Sequence, residues 1–146
     1  MNLYFKELLQ LLNENQVEYL VVGAYAVMHH TQPRFTKDLD IWLNPTPENA
    51  HKVQKVFHEF GMPFEGVTRD DFSQPGLQYA VGAPPCMFDF LTSLPELDFM
   101  EAWEDRAVGE LDDFVVNYLS MPFLIKAKKV AGRPQDLADL EELKKL

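Results

Sequence analysis

The chain has 146 residues, 47% of them apolar, and a formal net charge of −10. That length and apolar share suffice for one sizeable core, so a single domain over residues 1–146 is expected. The acidic balance argues against a general nucleic-acid binder, and no apolar run approaches the roughly 18 residues that cross a bilayer.

The first residues, Met1 to Glu7, lack a basic stretch followed by an apolar one, so no signal peptide is expected. Cys86 is the only cysteine, which rules out an internal disulfide and fits a reducing, cytoplasmic setting. From Leu3 to Asn15 the spacing of Tyr4, Leu8, Leu11 and Leu12 predicts an amphipathic helix. Val17 to Val22 is nearly all apolar and reads as a strand buried on both faces. Gly23-Ala24 then forms the turn into a short helix, Ala24 to His30. Small residues there let a backbone approach a ligand, and free N–H groups at a helix start suit phosphate oxygens. His29 and His30 are adjacent, and His51 and His58 lie seven apart, so neither pair has the spacing of helical metal ligands.

Asp38 to Leu43 alternates polar and apolar, the period of a strand with one buried face. Leu39, Ile41 and Leu43 are thereby sent to the core, and Asp38 and Asp40 sit side by side on the opposite face. Two adjacent carboxylates repel each other, and a hard divalent cation such as Mg²⁺ or Mn²⁺ relieves that cost. Taken alone, an Asp-x-Asp pair is more often a solvated strand face that happens to carry two acids.

Thr46 and Pro47 make an N-cap and first turn for a helix whose apolar face is Ala50, Val53, Val56, Phe57 and Phe60, stopped at Gly61. Met62 to Pro75 reads as irregular loop. Gln78 to Val81 and Cys86 to Leu91 read as two short strands. The second carries Asp89 inside Met87-Phe88-Asp89-Phe90-Leu91, where an ionised carboxylate is costly unless paired or bound to metal. A partly exposed edge-strand acid, or one paired with a nearby Arg or Lys, is the alternative. Pro95 to Asp105 predicts a helix with Leu97, Met100 and Ala102 or Trp103 inward, and Phe114 to Tyr118 a strand. Ser120 to Gly132 predicts a helix, and Pro134 to Leu146 another that buries Leu137, Leu140 and Leu143. Lys126, Lys128, Lys129 and Arg133 place four of the thirteen basic residues within eight positions. No internal repeat, low-complexity segment or interdomain linker is evident.

Together these stretches resemble the minimal nucleotidyltransferase fold, and in particular the bacterial AbiEii-like nucleotidyltransferases and their short relatives. The residues that carry the resemblance are Gly23-Ala24 after a strand, Arg34-Phe35-Thr36-Lys37-Asp38-Leu39-Asp40, Asp89 on a later strand, and Lys128 through Gly132-Arg133-Pro134-Gln135-Asp136-Leu137-Ala138-Asp139. The resemblance implies an α/β (α+β) fold with a mixed central sheet flanked by helices. It also implies transfer of NMP from an NTP to a hydroxyl of RNA, protein or a small molecule.

In that reading Asp38 and Asp40 bind Mg²⁺ or Mn²⁺. Asp89 binds the second metal and accepts the proton of the attacking hydroxyl. Gly23, Ala24, Arg34, Thr36, Lys128, Arg133 and Asp136 contact the nucleotide, with Asp139 a structural partner of the cations. Ala24 departs from the usual Ser or Gly of the turn and supplies no hydroxyl to a phosphate. A catalytically weak binding module, such as one half of a toxin–antitoxin pair with a small partner protein, is the alternative function.

Overall fold

The computed structural model describes residues 1–146. In chain order it forms α1 (Leu3–Glu14), β1 (Tyr19–Val22), α2 (Gly23–His30), β2 (Asp38–Leu43), α3 (Pro47–Phe60), α4 (Arg69–Phe72) and β3 (Gln78–Ala83). The second half forms β4 (Cys86–Leu91), α5 (Phe99–Glu104), β5 (Ala107–Leu111), β6 (Phe114–Tyr118), α6 (Met121–Ala131) and α7 (Pro134–Lys144). All six strands join one mixed sheet in the order β3-β4-β2-β1-β6-β5. The central β2 runs antiparallel to β1 and parallel to β4, and β1 runs parallel to β6. Two antiparallel hairpins, β3–β4 and β5–β6, close the edges. The fold class read from the sequence, a mixed sheet flanked by helices, is the one observed.

Local chemistry accounts for most boundaries. Thr46 accepts a hydrogen bond from the Asn49 N–H at 3.1 Å and Pro47 occupies the first turn, while Gly61 ends α3 with φ +87°. On β2 the alternation holds, with Leu39, Ile41 and Leu43 buried, and Trp42 is buried too. The core spreads from β1 and β2 into an aromatic cluster where Phe57 meets Phe90 at 4.8 Å and Phe64 at 5.1 Å.

Several expectations need correction. In α1 the buried face is Phe5, Leu8, Leu9 and Leu12, and Tyr4 is 58% exposed. Apolar residues flank that helix on both sides, and Phe5 wins because its ring packs edge-on against Phe88 at 5.3 Å and Tyr25 at 5.6 Å. The 62–75 stretch contains α4, one turn held by reciprocal bonds between Thr68 and Asp71, with Phe72 buried beneath it. The helix over Pro95 to Asp105 begins only at Phe99, because Asp98 caps it and Leu94 bridges Leu97 ahead of it. Phe99 and Ala102 are buried there while Met100 faces out. Strand β5 alternates in exposure, but apolar Val108 takes an outward position at 56% exposed, so hydrophobicity does not trace the strand, which pairs with β6. In α7, Leu140 and Leu143 are buried, but Leu137 is 53% exposed, and Asp136 and Asp139 take the inward positions.

Candidate active site

Strands β2 and β4 lie side by side in parallel, with Asp40 opposite Asp89 and Asp38 opposite Met87. Because Phe88 and Phe90 are both buried, the period of two turns Asp89 to the other face of the sheet, where Asp38 and Asp40 also lie. The carboxyls of Asp40 and Asp89 approach within hydrogen-bonding reach of each other. Burial, then the charges of Asp89 and Asp38, push Asp40 up to about 7, against a smaller opposing pull from Lys128. Asp89 is also raised by burial, opposed by a hydrogen bond from Gln78 and reinforced by Asp38. Asp40 therefore keeps its proton on the acid side of neutrality and gives it up near pH 7.

The turn before α2 is shaped by the same carboxylate. Gly23 has φ +66°, and a Cβ there would collide with Asp40 Oδ2 and lie 2.9 Å from its Cγ. Glycine is required at this position by both backbone and space. The room it leaves is filled by Asp40. Ala24 follows inside the first turn of α2 and brings no hydroxyl.

On the facing side, α6 and α7 present a buried ionic network. Lys128 Nζ lies 3.1 Å from Asp136 Oδ1 and 3.0 Å from Asp139 Oδ2, with both aspartates only 1% exposed. Arg34, from the loop ahead of β2, pairs with Asp139, and Gln135 donates to the same carboxylate at 2.9 Å. Arg133 Nε donates to Asp136 Oδ2 at 2.7 Å, and the Arg133 main-chain N–H adds a bond at 3.1 Å that caps α7. Burial alone would raise Asp136, yet the bonds from Arg133 and Lys128 outweigh it and hold the carboxyl at about 2. Lys128 is thus held between two carboxylates, whereas the Arg133 side chain remains 74% exposed with spare donors. Thr36 shapes the approach to β2, its hydroxyl accepting from the Asp38 N–H at 3.3 Å.

These groups surround one cleft of about 590 Å³. Gly23, Ala24, Arg34, Thr36, Asp38, Asp40, Asp89, Lys128, Arg133 and Asp136 all line it, and so does Asp139. Gln78, which sequence reasoning passed over, lines it as well and donates to Asp89 Oδ2 at 3.1 Å. No local pattern marks Gln78, because its partner lies across the β3–β4 hairpin.

No protein-family model and no curated protein matches the chain. Among solved structures, a lincosamide antibiotic adenylyltransferase, LnuA, with lincomycin bound superposes with a TM-score of 0.63 at 16% identity. The match covers 99% of this chain and 96% of that one. A candidate nucleotidyltransferase from Thermotoga maritima, TM1012, superposes with a TM-score of 0.61 at 15% identity, over 94% of this chain and 88% of that one.

The fold is that of the nucleotidyltransferases. Its central sheet here carries the three carboxylates on β2 and β4, with α6 and α7 across the cleft.

Enzymes of the nucleotidyltransferase fold generally use divalent metals. In this chain no group of three or more His, Cys, Asp and Glu side chains is drawn together as a finished cage for an ion. The donor set nevertheless suits a hard cation, since every candidate atom is a carboxylate oxygen. The proton at Asp40 is held by burial first and then by repulsion from Asp89 and Asp38, and a bound cation would offset that same crowding of charge. No helix is long and apolar enough to cross a membrane.

Proposed function

We propose that the chain, acting as one domain, is a divalent-metal-dependent nucleotidyltransferase that moves NMP from an NTP to a hydroxyl acceptor. The observation that carries this reading is the register that places Asp40 against Asp89, beside Asp38, at the mouth of a cleft in a nucleotidyltransferase fold. Asp38 and Asp40, with Asp89, would hold Mg²⁺ or Mn²⁺, which supplies positive charge to orient the triphosphate and stabilise the departing pyrophosphate. Asp89 takes the proton of the acceptor hydroxyl as its oxygen bonds to the α-phosphorus, and the phosphorus–oxygen bond to pyrophosphate breaks with its electron pair leaving on pyrophosphate. Arg133 supplies the free donors on the α7 side, suited as a planar fork to phosphate oxygens. Lys128 acts from its ion pairs by fixing α6 and α7 rather than as a free phosphate ligand.

A second reading is favoured by Ala24 and by the engagement of Lys128: a catalytically weak member that works as a binding module, for example within a toxin–antitoxin pair, as the AbiEii-like resemblance suggests. The two separate in one assay. The protein is incubated with each α-labelled NTP, Mg²⁺ and a cell lysate, and label is sought on RNA, protein and small molecules. Transfer by the parent but not by Asp38→Asn/Asp40→Asn supports the enzyme. Binding of NTP with no transfer from any nucleotide supports the module.

A further inference from the structure

The side of the cleft beyond Asp89 differs from the side that faces α6 and α7. Every basic residue lining the cleft, Arg34, Lys128 and Arg133, comes from the loop before β2 or from α6 and the start of α7. The β3–β4 side contributes Gln78, Leu91 and, just past β4, Leu94. Gln78 starts edge strand β3 and pairs in register with Leu91, so it reaches Asp89 diagonally across the hairpin. The residue directly opposite Asp89 is Ala80, which is too small to touch the carboxylate. Gln78 Nε2 lies 3.1 Å from Asp89 Oδ2 and 3.5 Å from Oδ1, and it is the one side chain outside the aspartate group that donates to Asp89.

We propose that Gln78 is a positioning residue for the reaction: its amide N–H holds the Asp89 carboxylate turned toward the acceptor hydroxyl. This rests on the nucleotidyltransferase reading above. A neutral amide suits the task better than a cation. It fixes the plane of the carboxylate by one directional bond, yet it neither neutralises the base nor repels a divalent ion held by the neighbouring aspartates. Lysine or arginine at this position would form a stronger bond but would do both. Without the donor, no side chain on the β3 side holds Asp89, and its carboxylate is left to rotate toward Asp40, its neighbour in register on β2. Gln78 is exposed at a sheet edge, so its replacement leaves the core untouched.

The test uses the full chain, Mg²⁺, the labelled NTP that the parent protein accepts, and a fixed amount of lysate as acceptor source. Apparent kcat and the NTP KM are measured together with Tm. Gln78→Leu, of similar size with no donor, is expected to lower kcat about tenfold, the kinetic equivalent of one ordinary hydrogen bond. NTP KM and Tm should stay at parental values. Gln78→His, assayed at pH 8.5 so that the ring is a neutral donor beside the carboxylates, should recover most of the loss, and Gln78→Lys should not. A kcat equal to the parent's in Gln78→Leu, or a loss carried by NTP KM, would overturn the role of Gln78 while leaving the enzyme reading intact. No transfer by the parent protein itself would overturn both.

Discussion

Replacing Asp40 by Asn should stabilise the metal-free protein, and by an amount that depends on pH. Asp40 is raised from 3.8 to about 7, through burial first and the charges of Asp89 and Asp38 second. A carboxyl raised in the folded state binds its proton more tightly than in the unfolded chain. Its contribution to stability is complete below the unfolded value and is lost as pH rises through the folded one. The rise from 3.8 to about 7, at about 1.36 kcal/mol per pH unit, amounts to a cost on the order of 4 kcal/mol above pH 7. Asparagine keeps the shape of the protonated carboxyl and has no charge to lose, so it escapes that cost. Urea unfolding in EDTA, followed from pH 5.5 to 8.5, is the assay. The parent–variant gap should widen by about 2 kcal/mol between pH 5.5 and 7, at 1.36 kcal/mol per pH unit, then level off. A gap that stays constant with pH, or a variant less stable than its parent at pH 8, would refute the picture of Asp40 as a crowded, buried acid.

The proposed cation site gives a second test of the same crowding. Mn²⁺ should raise Tm of the parent by mass action on the native state, more at pH 8 than at pH 6 because Asp40 must give up its proton. The Asp38→Asn/Asp40→Asn protein should show no such rise, and equal shifts in both proteins would remove the metal site. Asp89→Asn should keep NTP affinity, measured by equilibrium binding, while kcat falls about 100-fold or more, the pattern of lost general-base catalysis. Lys128→Met should cost about 3–5 kcal/mol in chemical unfolding, because it strips a partner from two carboxylates that are 1% exposed, whereas Lys129→Met should cost little.

What the sequence determined by itself lies where a rule acts over neighbouring residues. The alternation along Asp38 to Leu43 set the inward and outward faces of β2, and the Thr46–Pro47 start and Gly61 stop set α3, because pleat and caps are local geometry. Phe88-Asp89-Phe90 likewise declared its own faces. The tertiary structure decided the rest, because it depends on groups far apart in the chain. Strand β5 is stabilised by its ladder with β6 rather than by its own pattern. Helix α7 turns Asp136 and Asp139 inward and Leu137 outward, against the hydrophobic period, because Lys128 and Arg34 neutralise those carboxylates from α6 and from a loop about a hundred residues upstream. Gly23 is glycine on account of Asp40, and Gln78 belongs to the site on account of Asp89. An ion pair or a steric fit between distant residues leaves no periodic trace in either partner's own stretch, so only folding brings it into view.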